Sequence, residues 1–341
     1  MVKLRWFVVA VAVAVLGVGC KRKKAKPPPR KRIVKRKVVM KAQLPRGVKV
    51  RPQEVLIRPK PFTMGSNDGT APGARMEAPA HKVSLQYVFA MWRQETSQKE
   101  FKELMGYNPS RFKKCGETCP VENVNWHEAA YYMNLLSKKY GLSTCFQCTG
   151  KHRNAICKAH PYFQGKRYYQ CNGYRLATEA EWEYGARAGS TGMYYKVPKS
   201  KNVLEATIDR IAWYGKTSRV GYAGGFSCSV KVPGIKDPKC GIHPQGTKLA
   251  NPWDLHDMLG NVSEWVYDRY GAYSQRSLVN PVGPISGRRI FRGCNWFHKA
   301  QECRVTRRFF ASPSLRNNLI GFRPVRTLVM VRKDKKAPKN R

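Results

Sequence analysis

Apolar residues along this chain fall into three regimes. Trp6 to Gly19 is almost free of polar side chains and ends at Cys20. Its fourteen residues are too few to cross a hydrocarbon core, which takes about 20 helical residues. From Lys21 to Arg51 the apolar positions are sparse and without period, and from Glu54 onward they recur in short, turn-bounded patterns. Val55-Leu-Ile and Phe62-Thr-Met-Gly-Ser66 read as short strands, the second ending in a glycine turn. His81 to Phe89 alternates as one half-buried strand. A helix is predicted from Ser97, with Glu100 completing a capping box and Phe101, Leu104 and Met105 on one face. A second is capped by Asn125 with Glu128 in the reciprocal place. It carries Trp126, Ala129, Ala130, Met133 and Leu135 or Leu136 as a stripe and stops at Gly141. A third starts at Thr178, with Glu181 completing its box, and runs through Trp182 and Tyr184 to about Ala188. Gly189 to Leu249 reads as irregular loops. The class is α+β, with little regular structure and many turns.

Composition divides the chain further. Met-Val-Lys-Leu-Arg, a short apolar run and small residues before Cys20 have the form of an export signal over residues 1–20. Val15-Leu-Gly-Val-Gly-Cys20 resembles a bacterial lipobox, which makes Cys20 the expected lipidation site. Residues 21–51 hold fifteen Lys or Arg and no acid, with Pro27-Pro28-Pro29 in the middle. Residues 21–53 are therefore expected to be an extended, disordered tether that repels itself. Next to a lipid, each basic residue adds about 1 kcal/mol of attraction to an anionic surface. The expected partner of 21–51 is thus an anionic membrane or an envelope polyanion, with a solvated spacer as the alternative. Residues 54–328 are the folded domain and 329–341 a basic tail. The domain keeps about half of the formal charge of +43. Nucleic acid is disfavoured all the same, because the chain carries an export signal and no basic reading helix. The expected location is the bacterial cell envelope, facing the periplasm or the exterior.

Besides Cys20 there are ten cysteines, a load that suits an oxidising compartment. Cys115 and Cys119 are spaced for a local disulfide. Cys145, Cys148, Cys157 and Cys171 form a second group, and Cys228 and Cys240 flank a later loop. Cys145-x-x-Cys148 has zinc-ligand spacing, but Cys157 to Cys171 lacks the matching half, so disulfides are favoured over a zinc knuckle.

Five blocks occur in order: Phe62-Thr-Met-Gly-Ser66, Pro120-Val-Glu-Asn-Val-Asn-Trp126, Tyr174-Arg-Leu-Ala-Thr-Glu-Ala-Glu-Trp-Glu183, Leu255-His-Asp-Met-Leu-Gly-Asn-Val-Ser-Glu-Trp265 and Ile320-Gly-Phe-Arg323. With Phe291-Arg-Gly-Cys-Asn-Trp-Phe-His-Lys-Ala-Gln-Glu-Cys303, they make residues from about Glu54 to Arg326 resemble the formylglycine-generating enzyme (sulfatase-modifying factor) family. The resemblance implies an irregular mixed fold akin to C-type lectins. Family enzymes hold Cu(I) with a cysteine pair and oxidise a substrate cysteine to formylglycine. The pair follows the motif tryptophan by two and seven residues, and here those places hold His298 and Cys303. Soft thiolates select Cu(I), whereas imidazole suits Cu(II) or zinc, so the exchange alters the chemistry. Cys294 stands where the family has glycine. Three arrangements stay open: a Cys294–His298–Cys303 catalytic metal cluster, a disulfide involving Cys303, or a buried free thiol.

Matched to the family's calcium site, Asp257, the Gly260 and Val262 carbonyls and Glu264 offer the oxygens that a hard cation takes. The alternative is that Asp257 caps a turn and Glu264 pairs with an arginine. Glu179, Glu181 and Glu183 are expected to be structural, because residues two apart on a helix face apart. Arg304, Arg307 and Arg308 could grip a ligand carboxylate or neutralise these acids. The expected function is an exported, lipid-anchored binding or scaffold protein with a protein or peptide ligand. The alternative is a copper-dependent oxidase acting on a sulfatase-like substrate.

Overall fold

In the computed structural model, residues 49–195, 204–227 and 238–330 are described, all within the unit Leu44–Arg341. The export signal with Cys20, the tether up to residue 48, Cys228 and the tail from residue 331 lie outside the described residues.

The strands group into three small sheets and two hairpins. One sheet has the order β1 (Glu54–Ile57), β4 (Tyr87–Trp92), β15 (Pro324–Met330), β7 (Tyr174–Leu176). Its three pairings are all antiparallel, with Glu54 opposite Trp92, Val325 opposite Met91 and Pro324 opposite Leu176. The second runs β13 (Arg308–Ala311), β12 (Arg289–Arg292), β10 (Ser263–Arg269), β14 (Ile320–Gly321). The third runs β11 (Leu278–Val279), β3 (His81–Ser84), β2 (Phe62–Met64). Hairpin β5 (Phe146–Thr149)–β6 (Ile156–Ala159) and the short pair β8 (Phe226–Ser227)–β9 (Lys239–Cys240) complete the set.

The capped helices lie where the periodicity puts them. α1 (Gln98–Met105), α2 (Trp126–Lys139) and α3 (Glu179–Arg187) each carry a reciprocal capping box, from Ser97, Asn125 and Thr178 respectively. Gly141 follows α2 at φ +64, and Ala188 closes α3 in the left-handed region at φ +43. Asn125 Oδ1 accepts from Glu128 N at 2.8 Å while Glu128 Oε2 accepts from Asn125 N at 2.9 Å. Asn125→Ala is expected to cost about 1 kcal/mol, read as a shifted denaturation midpoint with unchanged slope.

Two expectations are corrected. His81 to Phe89 is not one strand. It breaks after Ser84, so that β3 and β4 enter different sheets. The cause is Asn280, whose Oδ1 accepts from Gln86 N and whose N–H donates to Ser84 O, turning the chain between them. The stretch Gly189 to Leu249 is not irregular throughout, because α4 spans Leu204–Ile211. Ile208 and Ile211, three apart, are both fully buried and hold it to the core. Among the described residues no helix is long and apolar enough to cross a membrane.

The disulfides are Cys115–Cys119, Cys145–Cys171, Cys148–Cys157 and Cys294–Cys303, and Cys240 is also disulfide-bonded. The four central cysteines are therefore nested pairs that brace the β5–β6 hairpin, not zinc ligands. The main core gathers Tyr87, Phe89, Met91, Trp182, Leu255 and Val266, and a second packs both faces of α2.

Candidate functional site

The Arg-Gly-Cys-Asn-Trp segment leaves β12 through Gly293, whose φ of +77 suits glycine. Asn295 then fixes the turn: its Nδ2 donates to Ser263 Oγ at 3.1 Å and its Oδ1 accepts from Phe297 N. Trp296 is buried against Phe112, ring centroids 5.1 Å apart, and its Nε1 donates to Asn318 O. This places Cys294 and Cys303 inside the core, both at 0% exposure and bonded to each other at 2.02 Å. A Cu(I) site built from thiolates needs free sulfurs, so the bonded pair does not fit it. The Cys294–His298–Cys303 cluster is thus replaced by a Cys294–Cys303 disulfide. His298 stacks on Phe309 at 4.6 Å, and its backbone oxygen accepts from Gly215 N. Burial, with Arg307 nearby and against the pull of Glu302, lowers its pKa and keeps the ring neutral. Among the described residues no group of three or more His, Cys, Asp or Glu side chains is arranged to hold a metal.

The Asp257–Glu264 block forms a second constellation. Gly260, at φ +91, lies so close to Trp213 that a Cβ would meet its backbone N and O at 2.5 Å. Asn261 donates its N–H to Trp213 O at 2.7 Å and holds His243 through its side chain. Glu264 is held by Arg323, which reaches Oε1 at 2.7 Å, and by Trp182 Nε1 at 2.9 Å. Its carboxylate is therefore engaged by an arginine. Asp257 accepts from Gly246 N through Oδ2 at 2.7 Å, while its Oδ1 is buried without a partner. Sequence reasoning missed Glu95. Its Oε1 accepts weakly from Val262 N at 3.4 Å and its Oε2 has no partner. Burial, then the charges of Asp257 and Glu264, push the Glu95 carboxyl well above the usual range, and burial raises Asp257 too. Three buried carboxyls thus surround the single guanidinium of Arg323. Two orphaned oxygens suit a hard cation, and the engagement of Glu264 leaves fewer ligands than the sequence promised.

The α3 glutamates are structural. Glu179 pairs with Arg292 and Arg308, Glu181 with Arg175, and Glu183 with Arg292 and Arg187. Arg304 pairs with Glu77. Arg307 lies over Phe309 at 4.3 Å and within 3.9 Å of Glu302. The arginine cluster neutralises internal acids.

Residues 41–328 match the sulfatase-modifying factor enzyme 1-like domain family. The chain belongs to this family. Relatives named for different roles share 28–29% identity with it over different extents. It is 29% identical over 225 residues to chaperone protein LppX of Paenibacillus barcinonensis, covering 64% of this chain and 72% of that one. It is 28% identical to inactive C-alpha-formylglycine-generating enzyme 2 of Bos taurus, covering 46% of each chain. With the formylglycine-generating enzyme of Streptomyces coelicolor it shares 29% identity over 46% of this chain and 48% of that one. The chain spans about half the length of these last two, and identity alone does not sort it with the active or the inactive protein. Among solved structures, Treponema denticola variable protein 1 superposes with a TM-score of 0.63 at 26% identity, covering 80% of this chain and 94% of that one. PvdO from Pseudomonas aeruginosa gives 0.56 at 23%, covering 81% and 94%. The irregular mixed fold of the family is therefore the fold of this chain.

Proposed function

We propose that this chain is a non-catalytic family member: an exported protein, lipid-anchored through Cys20 and held at an anionic envelope surface by residues 21–51, that binds a protein or peptide. The observation that carries the reading is the buried Cys294–Cys303 bond. It removes the one cysteine kept from the family's copper pair, and His298 stands in the place of the other. The similarity to a protein named as a chaperone agrees with a protein-binding role, and the disulfides agree with an oxidising compartment. Incubation with Cu(I), dioxygen and a cysteine-containing peptide, before and after mild reduction, is expected to leave the peptide mass unchanged. Conversion of the peptide to the aldehyde, abolished by Cys303→Ser, would establish the copper-dependent oxidase instead.

Calcium is the proposed structural ion of the Asp257, Gly260, Val262 and Glu264 block, with Glu95 standing beside it. Its support is the pair of orphaned carboxyl oxygens, Asp257 Oδ1 and Glu95 Oε2. Millimolar calcium against a chelator is expected to raise the melting temperature, and Glu95→Gln with Asp257→Asn to cancel the rise. No shift in the unmodified protein sinks the assignment.

A further inference from the structure

We propose that the cleft between strands β1 and β2 receives an acidic protein segment in extended form, which adds to the β1 edge through its backbone. This deepens the binding reading above and rests on it. The cleft measures about 980 Å³, large enough to bury several side chains. Two of its walls are strand edges, since β1 begins the order β1-β4-β15-β7 and β2 ends the order β11-β3-β2. Arg93 N donates to Gln53 O at 2.8 Å, and Gln53 stands opposite Arg93 in the β1–β4 register. By antiparallel alternation the hydrogen-bonded positions of β1 are then Val55 and Ile57, and the N–H and C=O of Leu56 face away from β4. Leu56 lines the cleft. An edge of this kind is a template for one more strand.

The side chains give the added strand its chemistry. Phe62, Tyr184 and Trp253 line the cleft and touch in sequence, with centroids 5.0 Å apart at each step. They make an aromatic floor for apolar side chains. Lys60 and Lys82 line the same cleft and are exposed, whereas the cation Arg187 is already paired with Glu183. No Asp or Glu is among the described lining residues. A segment that alternates acidic and apolar residues meets both features, one set toward the lysines and the other toward the rings. The chain's own tether is excluded as occupant by charge, with fifteen Lys or Arg and no acid between residues 21 and 51.

The test uses the detergent-solubilised full chain and fluorescence anisotropy with short labelled peptides. One alternates Glu and Val, one replaces Glu by Lys, and one is the Glu peptide N-methylated at alternate residues in either phase. The Glu peptide is expected to bind, and the Lys peptide and one N-methylated phase to fail. Lys60→Glu with Lys82→Glu is expected to weaken binding at least about tenfold, and Lys99→Glu with Lys102→Glu on α1 to leave it unchanged. Unaltered binding in the Lys60/Lys82 variant, equal binding of the Lys peptide, tolerance of both N-methylated phases, or no binding of the Glu peptide overturns the proposal. The non-catalytic reading fails separately, by aldehyde formation, which none of these arms measures.

Discussion

Replacing Arg323 by methionine is expected to cost the domain about 3–5 kcal/mol, the usual penalty for removing one partner of a buried ion pair. Arg323 is 2% exposed and donates to Glu264, to Trp92 O at 3.0 Å and to His256 O at 2.8 Å. Without it, Glu264 keeps only Trp182 Nε1, and the neighbouring carboxyls of Glu95 and Asp257 lose the cation whose field reaches both. Urea denaturation of the variant at neutral pH measures the loss. The double variant Arg323→Met with Glu264→Gln is expected to regain a substantial part of it, because a neutral amide no longer needs the guanidinium. A single-variant loss below about 1 kcal/mol would show that the buried charges do not depend on Arg323.

The raised carboxyls are expected to pull stability down as pH rises from about 4 to 8, against His127, His243 and His298, whose lowered values pull it up toward pH 6.5. Asp268 contributes to this fall together with Glu95 and Glu122. Its oxygens accept from Glu179 N at 2.8 Å and Gly283 N at 2.7 Å, but burial and the charge of Glu179 raise its pKa to about 7. A carboxyl raised in the folded state holds its proton where the unfolded chain has released it, so stability falls with rising pH across that interval. For Asp268 the interval runs from 3.8 to about 7. Three units correspond to a loss on the order of 2–4 kcal/mol. Glu122, raised by burial from 4.5 to about 7, acts in the same direction. Below pH 4 the sign reverses: Arg308 and Arg292 hold the Glu179 carboxyl low against burial, and Arg326 and Tyr174 do the same for Glu54. Their stabilisation is lost as pH drops through those lowered values. Denaturation at pH 4, 5, 7 and 8 traces the curve, and Asp268→Asn is expected to flatten its upper limb. An unchanged pH profile in Asp268→Asn contradicts the assignment.

Local signals were legible in the sequence and distant ones were not. Ser97, Asn125 and Thr178 announce α1 to α3 because a capping box closes within four residues. The break between β3 and β4 was hidden, since its cause, Asn280, lies 194 residues from Gln86. The same limit explains the candidate site. The motif frame identifies the family, and the calcium block marks Asp257 and Glu264, but nothing near them points to Glu95 or says which arginine holds Glu264. For Cys303 the open question was the partner of one sulfur. Cys294 stands nine residues away, yet only the turn fixed by Asn295 brings the two together.

Strand β15 has a consequence for the export proposed above. β15 sits between β4 and β7, and Arg326 on it holds Glu54 across 272 residues. A polypeptide threaded N-terminus first through a narrow pore therefore presents a first sheet with an inner slot empty until β15 emerges. On the proposed export route, nearly the whole domain from β1 to β15 must clear the channel before that sheet can close.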